Sequence, residues 1–445
     1  MPALVNSDRV TLERRLGVWS IAALVIGETI AVGIFLTPAA MARSLGSPFW
    51  IMVVWLVVGG MAAAGALCYG ELAARFPAAG GGYVYLREAY GQGMAFLYGW
   101  KCLLVMDPGI TAVLAMGFTS YLNYLIPLGP AGLKLAAIGL IGAVAGLNVI
   151  GVRFAGGVVR LLTGVKLLAL GAMVALALLL HRGDWSNFVP FLAQRSGSEP
   201  LPGAFAPAVV SAFFAFGGWW EIAKLAGEAR DPERTFPRGL LIGVVTVTAV
   251  YLMTSAVFVY LVPMDRATDG QAFAAQAGEA LLGPAGGTVF SVLVMISVLG
   301  SLVALLMALP RAYYAMARDR VFFRSVGELH PRFGTPMRAI LIQASTASLL
   351  VALGTFEQVI AYFIFVTVGF VGLAAAGLFR LRRATPFSRY QTPGFPVTAL
   401  IFLGMVAVLL ALLAGHNPLQ AGLGLLVVGL GAPVYLVVFR GRRSR

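Results

Sequence analysis

Residues 18–40 read VWSIAALVIGETIAVGIFLTPAA, an apolar run long enough to cross a bilayer, with Ala31-Val32-Gly33-Ile34-Phe35 in its middle. A second run, near 207–228, carries Phe216-Gly217-Gly218-Trp219 in its middle. A helix broken at mid-membrane frees N–H groups at the start of one half-helix and C=O groups at the end of the other. Such groups cannot face lipid, so they line a cavity or bind a solute. An N–H cluster suits a carboxylate and free carbonyls suit an ammonium, so a cavity offering both suits a zwitterionic amino acid. A single glycine would more often serve close helix packing. Two breaks at matching places in two halves of a chain point instead to a transport site.

The rest of the chain fits that reading. Of 445 residues, 60% are hydrophobic and 11% are charged, against roughly 25% charged in a soluble domain, which marks a membrane protein. The run from Val18 to Ala40 has no small-residue cleavage site and is too long for a signal peptide, so it is expected to be a retained first span. At about 20 apolar residues each, twelve spans are predicted, near 17–40, 49–71, 93–125, 132–150, 157–180, 207–228, 238–262, 282–317, 338–353, 358–379, 396–414 and 420–438. An even number puts both termini on one side. Placing the segment 1–16 in the cytoplasm leaves about 24 basic residues inside, from Arg9 to the basic tail 439–445, and about five outside, Arg43, Lys134, Arg182, Arg195 and Arg266. The net charge of +14 thus follows topology and not a nucleic-acid partner. The expected location is the plasma (inner) membrane with both termini cytoplasmic. Loops near 181–206 and 263–281 are too short to form soluble domains.

The two broken spans head two five-span blocks, 17–180 and 207–379, followed by a two-span segment, 396–438. Five is odd, so the second block is inserted upside down relative to the first.

Several further stretches carry a family resemblance. Gly65-Ala-Leu-Cys-Tyr-Gly-Glu-Leu72, Gly80-Gly-Gly-Tyr-Val-Tyr-Leu-Arg-Glu-Ala-Tyr-Gly91, Phe214-Ala-Phe-Gly-Gly-Trp219, Arg230-Asp-Pro-Glu-Arg-Thr-Phe-Pro-Arg238 and His330-Pro-Arg-Phe-Gly-Thr-Pro336 follow one another along the chain. In order and spacing the chain resembles the amino acid-polyamine-organocation superfamily, and within it the bacterial-type members of the L-amino acid transporter branch. The resemblance implies an all-α integral membrane fold of the LeuT type, five plus five inverted helices with spans one and six broken and two helices appended. It implies transport of amino acids or related amines. The chain departs from the pattern at Ala31 and Val32, where a glycine and a small residue are usual, and at Trp220-Glu221. Cys68 and Cys102 both fall within or at the edge of spans, and the external cysteine by which animal members attach a glycoprotein subunit is missing. The resemblance therefore implies a carrier that works without a disulfide-linked subunit.

The first break is expected to bind the substrate carboxylate on N–H groups around Thr29, Val32, Gly33 and Ile34. Around Phe214, Phe216 and Gly217 the second is expected to supply carbonyls for the ammonium. Phe216, Trp219 and Trp220 are candidates for a gate or pocket wall. Lys166 lies deep in a predicted span, where a charge costs about 2.5–3.5 kcal/mol. By resemblance its ammonium occupies the place where sodium-driven relatives hold sodium, with Ser301 as candidate partner, so transport is expected not to need sodium. Glu28 is read as a proton carrier, a counter-charge to a cationic substrate, a partner of Lys101 or Lys224, or a packing group. Asp107-Pro108 reads as a proline break whose end Asp107 caps.

Catalysis, metal and cofactor are not indicated. His181, His330 and His416 have no paired ligands. The glycines at 80–82 lack the lysine of a phosphate loop. The leading reading is a sodium-independent facilitator or exchanger of neutral L-amino acids. The alternatives are a proton-coupled carrier of cationic amino acids or polyamines and, in another class, a channel or sensor. The last is disfavoured because a channel needs a continuous polar lining.

Overall fold

The computed structural model describes residues 14–30, 33–78, 80–150, 155–267, 272–318, 320–384 and 389–439. Among them all regular structure is helical. In chain order the helices are α1 (Val18–Thr29), α2 (Gly33–Leu45), α3 (Pro48–Arg75), α4 (Gly82–Tyr90), α5 (Gln92–Lys101) and α6 (Asp107–Leu125). There follow α7 (Pro130–Ile150), α8 (Ala155–Leu179), α9 (Leu201–Ala215), α10 (Pro232–Leu261), α11 (Met264–Ala267) and α12 (Phe273–Leu282). The chain continues through α13 (Pro284–Arg318), α14 (Arg324–Gly327), α15 (Met337–Leu353), α16 (Phe356–Ala384), α17 (Val397–His416) and α18 (Pro418–Val438). Eight continuous segments are long and apolar enough to cross a membrane, and α1 and α2 pass as a pair bent by 52°. Shorter apolar helices, Leu167–Leu179, Leu201–Ala215 and Met337–Leu353, stand where the fifth, sixth and ninth spans are expected.

The sixth segment differs from expectation at both ends. Helix α9 begins at Leu201 and not near 207, because Pro202 falls in its first turn, where a missing N–H is harmless. Beyond Ala215 the chain turns through residues 216–220, and the second half is a 3-10 helix, Glu221–Glu228. In a 3-10 helix residues three apart stand directly above one another. Glu221 and Lys224 are such a pair and form an ion pair.

Asp107-Pro108 also departs from expectation. The helix is not broken there. It continues from α5 to α6 through a π-helical turn, Cys102–Met106, and Asp107 makes no side-chain cap. A proline inside a helix removes its own N–H and pushes away the carbonyl four residues back, here Leu104. The wider turn accommodates the ring, and the Tyr362 hydroxyl donates to Leu104 O at 3.4 Å.

Packing divides the helices into two groups. Helix α10 packs along α3 and α1, while α13, α15 and α7 pack on α6. The first group closes on small residues: Gly239 lies against Ile21, Gly243 against Val25 and Gly59 against Thr248. Close approach of backbones drives such association in lipid. Trp55 Nε1 donates to Ser255 Oγ at 2.8 Å between α3 and α10, a bond worth about 0.6 kcal/mol on average in a membrane bundle. The chain before α1 joins the same group, since Leu16 N–H donates to Glu228 O and Arg230 N–H to Leu16 O. The starting end of α1 and the closing end of the 3-10 helix are therefore tied to each other.

A buried polar network closes one end of the fold. Glu71 on α3 is 0% exposed. It accepts from Arg75 Nε at 2.9 Å, from Arg382 Nε on α16 at 2.8 Å, and from the N–H and hydroxyl of Thr392 at 2.7 and 2.8 Å. The Arg382 guanidinium lies 3.6 Å from the Phe395 ring centroid.

Candidate functional site

The two breaks meet. A Cβ placed on Gly33, the first residue of α2, would lie 2.4 Å from Cα of Ala215, the last residue of α9. Hence the start of one half-helix crosses the end of another with no room for a side chain. On the other side of the crossing, Glu28 packs against Gly218, whose φ of +113° and contact with the Glu28 Cγ both demand glycine.

The carbonyl ends of the two half-helices share one donor. Tyr251 on α10 reaches both Thr29 O, at 2.8 Å, and Ala215 O, at 2.7 Å. Its hydroxyl has a single proton, so that proton is divided between the ends of α1 and α9. The ring is held by Trp55 at 4.9 Å and Phe216 at 5.2 Å. Nothing in the sequence separated Tyr251 from a tyrosine of the membrane interface, because its role depends on what crosses in front of it.

The expected site residues divide as follows. Thr29, Gly33, Ile34, Phe214 and Phe216 are buried at the crossing. Ile34 and Gly33 lie in the first turn of α2, where N–H groups have no partner within the helix. Phe214 O accepts from Gly217 N–H at 3.0 Å and also from Phe216 N–H, where α9 ends. Thr29 Oγ1 and Trp219 Nε1 are buried with no hydrogen-bond partner. A buried polar atom without a partner costs about 1–3 kcal/mol, so both are groups that a bound polar ligand would satisfy. Val32 lies outside the described residues. Lys166 falls in α8, and its side chain lies outside the description as well. Ser301 is half-buried on α13.

Phe216 packs against Trp55 and Tyr251. Phe214 faces α16, edge-on to Phe363 at 6.1 Å and Phe356 at 6.4 Å. Beyond this aromatic group a cavity of about 220 Å3 opens at one end of the bundle, lined by Phe35, Leu36, Met116, Tyr121, Phe273 and Phe356. Arg43 and Glu357 stand 3.8 Å apart across it. At the other end Trp219 packs edge-on against Tyr69 at 5.3 Å, and Trp220 stacks on Phe213 at 5.6 Å. The loop at Gly80 and Gly81 lies on the 3-10 helix: Gly81 has φ +51°, and a Cβ there would come 2.9 Å from Lys224 N.

Lys101 and Lys224, considered as possible partners of Glu28, each have further contacts. Lys224 pairs with Glu221. Lys101, 1% exposed, lies 3.0 Å from Met106 Sδ and over the Tyr98 ring at 4.7 Å. Asp107, 3% exposed, accepts from the Tyr313 hydroxyl of α13.

Comparison with known proteins agrees with this architecture. The sequence model described as amino acid permease matches residues 16–433. The chain is 28% identical over 429 residues to the serine/threonine exchanger SteT of Bacillus subtilis (strain 168), covering 95% of this chain and 96% of that protein. It is 29% identical over 435 residues to the large neutral amino acids transporter small subunit 2 of Homo sapiens, covering 96% and 81%. To the Asc-type amino acid transporter 1 of Homo sapiens it is 28% identical over 438 residues, covering 97% and 83%.

Proposed function

The chain belongs to the amino acid permease family, and from that premise we propose that it moves neutral L-amino acids across the plasma (inner) membrane by sodium-independent exchange. The observation that carries the reading is the crossing of the breaks. The first turn of α2 presents N–H groups to a carboxylate, and the end of α9 presents carbonyls to an ammonium, within one buried point of contact. The unpartnered Thr29 Oγ1 and Trp219 Nε1 adjoin the two breaks. The names of two of the relatives, a serine/threonine exchanger and a large neutral amino acids transporter, point to neutral substrates. Phe214, Phe356 and Phe363 crowd the side of the site toward α16 and favour a small side chain.

In this reading the tied body of α1, the 3-10 helix, α3 and α10 rocks against α6, α7, α13 and α15. The two blocks 17–180 and 207–379 are the inverted halves of that machine. Phe214 closes the cavity side, which is external if both termini are cytoplasmic, and Trp219 and Trp220 close the other. Lys166 supplies the fixed cation in place of sodium, and Ser301 its partner. With Cys68 and Cys102 both buried, the carrier works without a disulfide-linked subunit.

The test is counterflow in proteoliposomes loaded with a panel of unlabelled amino acids. Labelled L-serine enters fastest against internal small neutral amino acids, and an inward sodium gradient at clamped membrane potential leaves the rate unchanged. Faster entry with sodium, or preference for lysine or a polyamine, would overturn the proposal.

Tyr251 gives a sharper test of the crossing. Tyr251→Phe leaves two buried carbonyl ends without their shared donor, at about 1–3 kcal/mol, so uptake falls about 5- to 150-fold. Initial rates measured against protein incorporated in the vesicles read this directly. A rate within about twofold of the parent, near 0.4 kcal/mol, would mean the carbonyls find other donors and the clamp has no role.

A further inference from the structure

Thr367 lies near the middle of α16, is 1% exposed, and its Oγ1 is buried with no hydrogen-bond partner. A threonine inside a helix ordinarily satisfies its hydroxyl on the carbonyl one turn back. Thr37, Thr111 and Thr248 do so, donating to Gly33 O, Asp107 O and Val244 O at 2.9, 2.7 and 2.8 Å. Thr367 makes no such bond to Phe363 O. A buried hydroxyl left unpaired destabilises a protein unless something completes it.

The place of Thr367 on the helix turns it toward the second break. One turn earlier, Phe363 is edge-on to Phe214 at 6.1 Å. One turn later, Val371 O accepts from the Tyr69 hydroxyl at 3.5 Å, and the Tyr69 ring packs edge-on against Trp219 at 5.3 Å. Phe214 and Trp219 flank the turn that interrupts the sixth segment. Residues four apart share a helix face, so that turn runs along the stretch of α16 centred on Thr367. Thr29 Oγ1 and Trp219 Nε1, also buried without partners, adjoin the same two breaks. The space beside Thr367 is narrow. A Cβ on Gly109 of α6 would lie 2.6 Å from the Phe363 Cβ, so the root of Phe363 already rests on the α6 backbone and its ring cannot retreat that way from Phe214. Three residues beyond Thr367, the Phe370 ring lies 6.4 Å from that of Tyr98 and 5.7 Å from the Lys101 ammonium. A substrate side chain reaching α16 therefore meets aromatic rings on two sides and one free hydroxyl between them.

We propose that the Thr367 hydroxyl bonds the side-chain hydroxyl of the substrate, so that the site selects short β-hydroxy amino acids, serine and threonine, over alanine. The proposal rests on the amino acid transport reading and adds to it the group that reads the side chain. Each hydroxyl can donate or accept, so one bond satisfies both. Alanine would place a methyl group beside Thr367 and leave its hydroxyl unpaired. A site built to bond a substrate hydroxyl rejects the analogue that lacks it. The carboxylate and ammonium are held by the two breaks and do not depend on Thr367.

The experiment uses the full chain in proteoliposomes loaded with unlabelled L-serine, with labelled L-serine or labelled L-alanine outside, and compares half-saturation concentrations. In the parent protein serine half-saturates at a concentration at least about fivefold lower than alanine. In Thr367→Val, a replacement of nearly the same shape, serine weakens to within about twofold of alanine, while alanine stays within about twofold of its parent value. Because the lost hydroxyl had no partner, Thr367→Val without ligand melts no lower than the parent in detergent, and added serine raises its melting temperature less. Thr367→Ser keeps a hydroxyl and keeps the preference. A purely structural role would weaken serine and alanine alike, and that result overturns the proposal. So does equal affinity of the parent for both, or a preference that survives in Thr367→Val. If Thr367→Val fails to fold, Thr367→Ser and Thr367→Ala are read instead: preference kept in the first and lost in the second supports the proposal, and any other pattern overturns it. Absence of counterflow with either substrate in the parent overturns the amino acid reading beneath it.

Discussion

Gly33→Leu abolishes amino acid uptake, and Gly33→Ala already removes most of it. The first added carbon would lie 2.4 Å from Ala215 Cα and 2.7 Å from its Cβ. Both are backbone or backbone-fixed atoms, so no side chain can swing aside. The half-helices α2 and α9 must separate, and their N–H and carbonyl ends then no longer face one ligand. Overpacking of this kind costs about 1–3 kcal/mol before any loss of binding is counted. Because the contact is structural as well as functional, uptake has to be read beside melting temperature and monodispersity in detergent. Gly60→Ala on α3 is the control, since a Cβ there meets nothing within 4 Å. Normal counterflow by Gly33→Leu would show that the breaks do not meet and would remove the proposed site.

Glu71→Ala has the largest expected effect on stability. Glu71 is the carboxylate to which Arg75, Arg382 and Thr392 all donate. Taking away one partner of a buried ion pair leaves the others desolvated and costs about 3–5 kcal/mol. The lower end applies, because Arg382 is 18% exposed and keeps its stacking on Phe395. Thermal unfolding in detergent reads the loss. The double variant Glu71→Ala with Arg382→Leu recovers part of it, since an apolar replacement of both charges is far less harmful than an orphaned one. If Glu71→Ala melts with the parent, the network contributes no stability.

Much of the fold was legible in advance because hydropathy reports a local quantity. The predicted spans coincide with helices within a few residues except at the starts of the sixth and seventh, where α9 and α10 each begin six residues earlier, with prolines in their first turns. The break residues Gly33, Gly217 and Gly218 were legible because glycine interruptions at matching places in two apolar runs have few uses. Asp107 was placed in the right span but read as a cap, since Pro108 suggested a helix end. The π-helical turn that saves the helix needs the Tyr362 hydroxyl, 258 residues away, to satisfy Leu104 O. Glu221 and Lys224 were in view as single charges. Their pairing depends on the 3-10 pitch of residues 221–228, which the apolar pattern does not encode.

The sequence alone determined that this is a helical membrane protein, where its long apolar helices lie, which two of them are interrupted, and which family it resembles. Each of these follows from composition and short motifs, because the free energy of placing a segment in lipid is summed residue by residue along it. Only the tertiary structure decided which groups meet. Tyr251 bonds Thr29 O across 222 positions, Glu71 bonds Arg382 across 311, and Asp107 bonds Tyr313 across 206. Such pairings are set by how helices cross and rotate against each other. In a bilayer every lipid-compatible arrangement has nearly the same hydrophobic energy, so close packing and the satisfaction of a few buried polar atoms select among them.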